Sequence, residues 1–402
     1  MSGRTGPGRR VLDALVRADS VVMTSLSLLC ALAVGAVLIV LADQPTRTAM
    51  GYFLSSPGDT FTLGWHAVWS GYAALFEGAV FNPGNSGMAV FEPLSNTLLN
   101  ATPLILGGLA VGTAFRAGLF NIGVQGQLIM GAICAGYVGF AFRLPPVVGL
   151  LAALLAGVAG GAVWGGIAGW LRARTGAHEV ISTIMMNYLA LYLLSYLLGV
   201  PGFQAPGSNQ AISREVSDTA RLPQILGPDL RLHAGLVIAI LAAVACWWLL
   251  SRSTLGFSLR TIGANPSAAR TAGMNVERGY VTVMLISGGL AGLVGCSQVL
   301  GTNHALTGDI DAGLGFQAIT VALLGRASAG GAVLAGLLFG AFGAGDVVMV
   351  ANTGVPADVV SVIEAVVVLF IAAPALIRSI FRLPESRGGA AGVGQFAKGW
   401  NG

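Results

Sequence analysis

The sequence predicts an all-α polytopic membrane protein with about ten transmembrane helices. Hydrophobic residues make up 55% of the 402 positions and charged residues only 9%, whereas soluble domains are about half apolar and a quarter charged. Apolar runs of roughly 17 to 25 residues recur along the chain, and a helix needs that length to cross the hydrocarbon layer. A water-soluble fold could not cover so much apolar surface, so we expect one membrane domain.

The predicted spans follow the apolar runs in chain order, near 21–42, 98–115, 119–142, 147–171, 180–198, 233–250, 280–300, 313–325, 329–350 and 359–377. The first run is longer than the core of a signal peptide, so we expect a retained span. The eighth is too short to cross as an unbroken helix. The predicted organisation is a basic cytoplasmic tail at 1–20, a transmembrane domain at 21–378 and a cytoplasmic tail at 379–402. Within the domain we expect an outside segment at 43–97 and a cytoplasmic loop at 251–279.

The basic residues predict the orientation. With the N-terminus inside, five of the 21 Lys and Arg residues fall outside, so 21 − 5 = 16 are cytoplasmic; the five are Arg47, Arg143, Arg214, Arg221 and Arg231. This positive-inside bias favours an even number of crossings, with both termini in the cytoplasm. The single Lys, with abundant Ala and Gly, is typical of a high-GC bacterial genome, so we expect the bacterial cell membrane.

Small and aromatic residues predict how the helices pack. Glycines recur every four residues at Gly157, Gly161, Gly165 and Gly169, at Gly288 and Gly292, and at Gly336 and Gly340. Such spacing lets two helix backbones approach closely. The outside segment carries aromatic residues at helical spacing between Phe61 and Phe76, which predicts a helix lying flat on the outer membrane face.

The sequence offers little for catalysis. Lys398 is followed by Gly and Trp, so it is not the lysine of a phosphate-binding loop. The four His and four Cys residues are scattered without metal-ligand spacing, and no nucleophile-elbow motif is present. We therefore expect no catalytic residue, metal or cofactor in this chain.

Two places break the helical pattern inside the membrane. The stretch 118–127 combines three glycines with Asn121, Gln125 and Gln127, and the short eighth span contains Gln317. Both begin with Ala-Gly-Leu, at Ala117 and Ala312. In the predicted topology they start from opposite sides of the membrane and five spans apart, as an inverted repeat of spans 2–5 and 7–10 would require. Interrupted segments at matching positions mark the pathway in many transporters. Interhelical hydrogen bonding of the amides is the alternative.

Other polar residues within the spans are further candidates for the pathway. Tyr188, Tyr192 and Tyr196 form a stripe next to Asn187, and such a stripe could stack on a flat ring, although packing or interface anchoring explains it as well. Glu364 lies within the last span, where an acid is costly unless it is paired, protonated or beside water. A structural partner on a neighbouring helix would also account for it.

The sequence of the loop at 251–279 predicts a short capped helix. Asn265 can cap its first N–H groups, Pro266 suits the first helical position, and Gly273 can close it in a left-handed conformation. Such a helix is something that a partner protein can grip. An ordinary connecting turn is the alternative.

At these residues the sequence resembles the permease subunits of bacterial ABC importers in the branched-chain amino acid and simple sugar group. Residues 263–273 are similar to that family's coupling helix, which docks into the ATPase subunit; the resemblance assigns coupling to Asn265, Pro266, Ala269, Arg270 and Gly273. The stretches 120–127, 178–188 and 319–325 look most like the nucleoside permeases that work with a basic-membrane-protein-type lipoprotein. Relatives commonly have Glu where this chain has Gln125, so no charged role is carried over there.

The resemblance implies an inward transporter for nucleosides that contains no ATPase site of its own. Its implied partners are an ABC ATPase that binds the ATP, a second permease in a heterodimer, an external substrate-binding lipoprotein and membrane lipid, with no nucleic acid. A simple sugar or branched-chain amino acid ABC permease is the nearest alternative. A secondary transporter driven by an ion gradient would need ionisable residues in the pathway, and a structural subunit would not need paired broken segments.

Overall fold

The computed structural model describes residues 19–84, 87–227 and 230–372. Over these ranges the chain forms fourteen α-helices and only isolated β-bridges. The helices are α1 (Asp19–Ala42), α2 (Gln44–Met50), α3 (Pro57–Ala79), α4 (Glu92–Arg116), α5 (Val124–Ala141), α6 (Pro146–Thr175), α7 (Glu179–Leu198), α8 (Gly235–Arg252), α9 (Thr254–Ala264), α10 (Pro266–Thr271), α11 (Val276–Cys296), α12 (Leu314–Leu324), α13 (Ala329–Thr353) and α14 (Ala357–Ala372). A π-helical turn at Ser297–Thr302 extends α11.

The predicted all-α polytopic fold is confirmed. Eight of the described helices are long and apolar enough to cross a membrane: α1, α4, α5, α6, α7, α8, α11 and α13. The eighth predicted span is the 11-residue helix α12, which is short as expected. The tenth is α14, and its predicted end at 377 lies outside the described residues, as do the tails at 1–18 and 379–402.

Several boundaries differ from the prediction. The second span begins at Glu92 rather than near 98, and the third begins at Val124 rather than near 119. The loop predicted at 251–279 shortens, because α8 continues to Arg252 and α11 begins at Val276. Hydropathy alone cannot place these ends, since helices continue into polar residues and stop inside apolar ones.

The chain divides into two compact units, one up to Phe76 together with the residues from Asp346, and the other from Glu77 to Gly345. In the first unit α1 packs against α14, where Gly35 lies against the side chain of Ile363. The helix α3 also lies along α1. Gly64 of α3 is next to Val40, and the Tyr72 hydroxyl donates a hydrogen bond to the Leu32 carbonyl.

The helix α3 forms where the aromatic spacing predicts it, and its flat placement on the outer membrane face stays a prediction. One face of α3 consists of small residues, Gly64, Ala67, Gly71 and Ala74, all of which are buried. Gly64 and Gly71 lie against the side chains of Val40 and Ile39 on α1. The aromatic side chains that suggested a surface helix, such as Trp65 and Trp69, lie on the other face and are exposed.

In the second unit α4 and α11 are the central helices. Eighteen of the 25 residues of α4 are buried, and α11 packs against α4, α5 and α6. The predicted glycine packing is confirmed here. A Cβ on Gly161 of α6 would lie 2.7 Å from the Cα of Gly292 on α11, and a Cβ on Gly340 of α13 would lie 2.7 Å from the Ala101 nitrogen of α4. The backbones touch at the first place because neither Gly161 nor Gly292 has a side chain, and at the second because Gly340 has none.

Contacts define two ends of this unit. At the coupling-loop end, Gly118 lies against Gly263, and Arg116 Nε donates to the Ala327 carbonyl at 2.8 Å. At the opposite end the segment before α8 pairs with the segment after α11: the Val216 N–H donates to the His304 carbonyl at 2.8 Å. The two Ala-Gly-Leu segments therefore lie at different levels, near Gly118 and beyond His304. The inverted repeat stays a prediction.

Substitution Gly161→Ala should destabilise the second unit by about 1–3 kcal/mol, because an added methyl group forces the α6 and α11 backbones apart. The midpoint of thermal unfolding in detergent measures this. Gly330→Ala is the matched control, since Gly330 is exposed and a Cβ there meets nothing within 4 Å. Equal midpoints for the two variants would contradict the packing.

Candidate translocation site and coupling loop

The loop between α8 and α11 contains the predicted capped helix. Asn265 accepts a hydrogen bond from the Ala268 N–H through its side-chain oxygen at 3.0 Å, and Pro266 is the first helical residue. Gly273 has a φ of 81°, and its N–H donates to the Arg270 carbonyl at 2.9 Å. The capping chemistry read from the sequence is confirmed.

One face of the short helix α10 packs against the rest of the protein, and the other, called the free face below, is exposed. Ala269 is fully buried and clusters with Ile262 and Val276. Pro266 and Arg270 are exposed. A partner could therefore bind the free face without displacing the contacts that hold the helix to the bundle.

A backbone contact connects this loop with the first broken segment. A Cβ on Gly263 would lie 2.8 Å from the Ala117 carbonyl carbon and 2.9 Å from the Gly118 nitrogen. Gly118 itself has a φ of 76°, a conformation that favours glycine. The end of α9 and the start of the segment 117–123 are therefore in direct backbone contact.

The first broken segment is held by a closed amide network. Asn121 and Gln127 exchange two hydrogen bonds, of 2.9 Å from Asn121 Nδ2 and 3.0 Å from Gln127 Nε2. Asn121 Nδ2 also donates to Ser287 Oγ of α11 at 2.7 Å, and Asn121 Oδ1 accepts from the Gly123 N–H at 3.0 Å. Both amides are buried, and each of their side-chain oxygen and nitrogen atoms has a hydrogen-bond partner within the protein.

Asn187 of α7 also stabilises this region, through hydrogen bonds to its backbone from another helix. Its side-chain oxygen accepts from the Gly126 N–H at 2.8 Å, and its Nδ2 donates to the Ile122 carbonyl at 3.0 Å. Asn121, Gln127 and Asn187 thus fit the alternative of interhelical hydrogen bonding in this conformation. They shape the broken segment instead of presenting free groups to a solute.

A buried acid that sequence reasoning did not select completes this support. Glu179 is 5% exposed, its Oε1 accepts from the Phe120 N–H at 3.4 Å, and its Oε2 lies 3.4 Å from Arg172 Nε. Its position in the first turn of α7, five residues after an Arg pair, was the available signal. The ion pair links the end of α6 to the start of α7, next to the segment 117–123.

The second broken segment precedes α12 and contains unusual backbone. Ala312 has a φ of 40° and Gly313 of 74°, so the glycine of each Ala-Gly-Leu is left-handed. Gln125, in the first turn of α5, donates from Nε2 to Asp311 Oδ2 at 2.8 Å. Sequence reasoning selected Gln125 and missed Asp311, which is 8% exposed. Gln317 lies half-buried one turn into α12.

His304 begins the loop that leads to this segment. It has a φ of 56°, and its Nδ1 is buried without a hydrogen-bond partner in the part of the chain that the structure describes. Burial, and then the charge of Arg221, lower the pKa of this ring. His304 is therefore neutral at neutral pH.

The remaining candidates lie apart from the two segments. Tyr188, Tyr192 and Tyr196 lie on the exposed face of α7, away from the buried Asn187. Glu364 lies half-buried on α14 in the first compact unit. No hydrogen bond or ion pair of its carboxylate is found among residues 19–372 where described, so the structural partner considered from the sequence is not seen there.

Two cavities within the second unit are small. The larger of these two has a volume of about 10 Å³, which is close to the space that one water molecule requires.

A family described as "Branched-chain amino acid transport system / permease component" matches residues 94–372. The chain belongs to this family. The match starts at the beginning of α4 and ends at the last described residue of α14, so it includes both broken segments and the coupling loop. The permease is thus a multi-pass membrane protein and a component of a transport system.

Three curated relatives cover most of the permease. The guanosine ABC transporter permease protein NupP of Bacillus subtilis is 39% identical over 80% of this chain and 91% of its own length. The glucose ABC transporter permease protein TsgB13 of Haloferax volcanii is 39% identical over 69% and 75%. The nucleoside ABC transporter permease protein NupB of Lactococcus lactis is 31% identical over 81% and 88%. No solved structure matches the permease significantly.

Substitution Asn187→Ala should destabilise the first broken segment, because the Gly126 N–H and the Ile122 carbonyl lose their partner. Each buried group left unpaired costs about 1–3 kcal/mol. Thermal unfolding and hydrogen exchange of peptides covering 117–127 measure the loss. Tyr188→Ala, next in the chain but exposed, should leave both readouts near wild type; the same loss in both variants would refute the role of Asn187.

Proposed function

We propose that the chain is the membrane-spanning permease subunit of an ATP-binding cassette importer for nucleosides. The observation that carries this proposal is the similarity to NupP over almost the whole length of that guanosine permease. NupB, a nucleoside permease by name, adds a second relative of the same kind. The capped, half-free helix α10 supports docking of a separate ATPase.

The solute class has one further support. Guanosine and glucose, the solutes in the names of two relatives, both contain a saturated sugar ring with neighbouring hydroxyl groups. A sugar ring is thus common to the proposed substrate and the nearest alternative, a simple sugar. Import of branched-chain amino acids rests on the family description alone.

The assembly we propose has four kinds of member. A partner ATPase binds ATP and docks on α10, so this chain carries no catalytic site and no cofactor. A second, different permease covers the outer face on which the solute passes, and an external lipoprotein delivers the solute. We place the complex in a bacterial cytoplasmic membrane with both termini of this chain in the cytoplasm, and without nucleic acid.

The coupling mechanism follows from the contact between Gly263 and Gly118. ATP-driven closure of the ATPase moves α10 through its free face, which includes Pro266 and Arg270. The rigid cap at Asn265 and the closure at Gly273 keep the helix intact during this movement. The loop then displaces the segment 117–123, and with it the start of α5 and Gln125.

Uptake by the complete complex tests the proposed class. Proteoliposomes that contain this chain with its ATPase, second permease and binding protein should accumulate labelled guanosine only when ATP reaches the ATPase. An excess of other nucleosides should compete, whereas leucine should not. Competition by glucose but not by nucleosides would favour the sugar alternative. Accumulation driven by an imposed ion gradient without ATP would refute the ABC proposal.

Two substitutions separate docking from transmission. Arg270→Glu reverses an exposed charge on the free face, so it should reduce co-purification of the ATPase by about tenfold or more. Gly263→Ala should leave co-purification unchanged but lower uptake per ATP hydrolysed, because its methyl group separates the loop from Gly118.

The controls are an exposed Arg at the opposite end and an unhindered glycine. Arg143→Glu and Gly330→Ala should behave as wild type in both assays, at equal membrane abundance. Wild-type docking in Arg270→Glu, with wild-type coupling in Gly263→Ala, would show that the loop is only a connection.

A further inference from the structure

We propose that Asp311, positioned by Gln125, is a specificity-determining residue of the pathway and accepts hydrogen bonds from neighbouring hydroxyl groups on the sugar ring of the solute. This inference rests on the proposed import of nucleosides. It concerns the start of α12 and the first turn of α5. Sequence reasoning did not select Asp311, and the inference places the sugar part of the solute against it.

The first argument is depth. The 11 residues of α12 rise about 16 Å, which is about half of a 30 Å hydrocarbon layer. Its last turn is followed by Ala327, whose carbonyl Arg116 holds at the coupling-loop end. The first turn of α12, and Asp311 just before it, therefore lie near the middle of the membrane, where transporters bind their solutes.

The second argument is charge. Asp311 forms no ion pair in the parts of the chain that the structure describes, and its described side-chain partner is the Gln125 amide. An acid at this depth is expensive unless it has a function or a partner. An amide donor orients a carboxylate without neutralising it, so Asp311 keeps acceptor capacity for further donors.

The third argument is free hydrogen-bonding capacity. Asp311 Oδ1 and Gln125 Oε1 make no hydrogen bond with any described residue, yet neither is fully enclosed by protein. Asn121, Gln127 and Asn187 differ, because both polar side-chain atoms of each amide have a hydrogen-bond partner within the protein. Among the amide residues of the first broken segment, Gln125 is thus the one with an atom left for a solute.

The fourth argument is the backbone around Asp311. The segment from Ser297 to Gly313 contains a π-helical turn and three positive φ values, at His304, Ala312 and Gly313. Positive φ at His304 and Ala312 costs free energy, and such conformations cluster at functional sites. The strain belongs to the loop that presents the carboxylate.

The Asp311 carboxylate favours one kind of donor group on the solute. A carboxylate accepts two roughly parallel hydrogen bonds, and bonds to a charged acceptor are stronger than neutral ones. Two neighbouring ring hydroxyls provide such a pair of donors. Phe316, in the first turn of α12 and exposed, offers an apolar surface on the helix that follows Asp311.

The experiment compares guanosine with 2′-deoxyguanosine in proteoliposomes of the complete complex. The binding protein is the same in every arm, so a change in the ratio of their uptake efficiencies reports on this chain. Asp311→Asn should lower the guanosine to 2′-deoxyguanosine ratio by about tenfold, the effect of weakening one hydrogen bond to a charged acceptor. Asp309→Asn is the control, because Asp309 is an exposed acid of the same loop and should keep the wild-type ratio.

A second variant covers the case in which Asp311→Asn does not assemble. Gln125→Leu removes the donor that orients the carboxylate and should lower the same ratio by a smaller factor. Unchanged ratios in both variants, or equal loss of both solutes, would overturn the inference while wild-type nucleoside uptake left the proposed function intact.

Two further arms separate the remaining outcomes. Inosine lacks the 2-amino group of guanosine, so a change in the guanosine to inosine ratio instead would place Asp311 against the base and overturn the sugar assignment. A wild-type complex that imports glucose and no nucleoside would refute the proposed function. The inference would then be decided by glucose and 2-deoxyglucose, with the same expected fall in ratio.

Discussion

A backbone N–H or C=O group inside a membrane has to find its partner within the protein, and this constraint accounts for the polar side chains around the first broken segment. The segment 117–123 leaves the helical ladder between α4 and α5. Side chains hydrogen-bond to the backbone here: Asn121 binds Gly123, Asn187 binds Ile122 and Gly126, and Glu179 binds Phe120. The break is possible because the segment itself and α7 supply these groups.

Supplying those groups requires helices to approach unusually closely. Gln127, the partner of Asn121, lies where α6 presents Gly165, and Ser287 lies on α11 one residue before Gly288. Larger side chains on α6 would hold α11 away and leave the amides without partners. The broken segment therefore depends on the glycine stripe. Close packing of α6 against α11 places the amides where they have hydrogen-bond partners, and this stabilises the irregular backbone.

Local rules made the coupling loop predictable, whereas long-range pairing was not. Capping by Asn265 and closure at Gly273 depend on residues three to four positions away, so composition and spacing suffice. The roles of the amides depend on partners 61 to 166 positions distant, which no periodicity reveals. For this reason the sequence could name Asn121 and Asn187 as special but could not decide between a solute and a backbone as their partner.

Asp311 and α3 show two further limits. Asp311 is a candidate because of its hydrogen bond with Gln125, 186 positions earlier. Its own neighbours in the sequence are typical of a polar loop. Aromatic spacing predicts the helix α3, but its buried glycine and alanine face gives a weak hydropathy signal, so the sequence did not reveal its contact with α1. Small residues determine where helices meet in a membrane, and hydropathy scales give them little weight.

The exposed side of α12 leads to a last structural consequence. Gln125, Asp311 and Gln317 lie near the middle of the membrane, and part of their polar surface is not covered by this chain. Lipid tails cannot hydrogen-bond to these groups, so contact with lipid would be costly. The two cavities described within the second unit are also smaller than a solute. A polar face at this depth is stable only where water, a solute or another protein meets it, and a second permease that encloses a shared aqueous path meets that requirement.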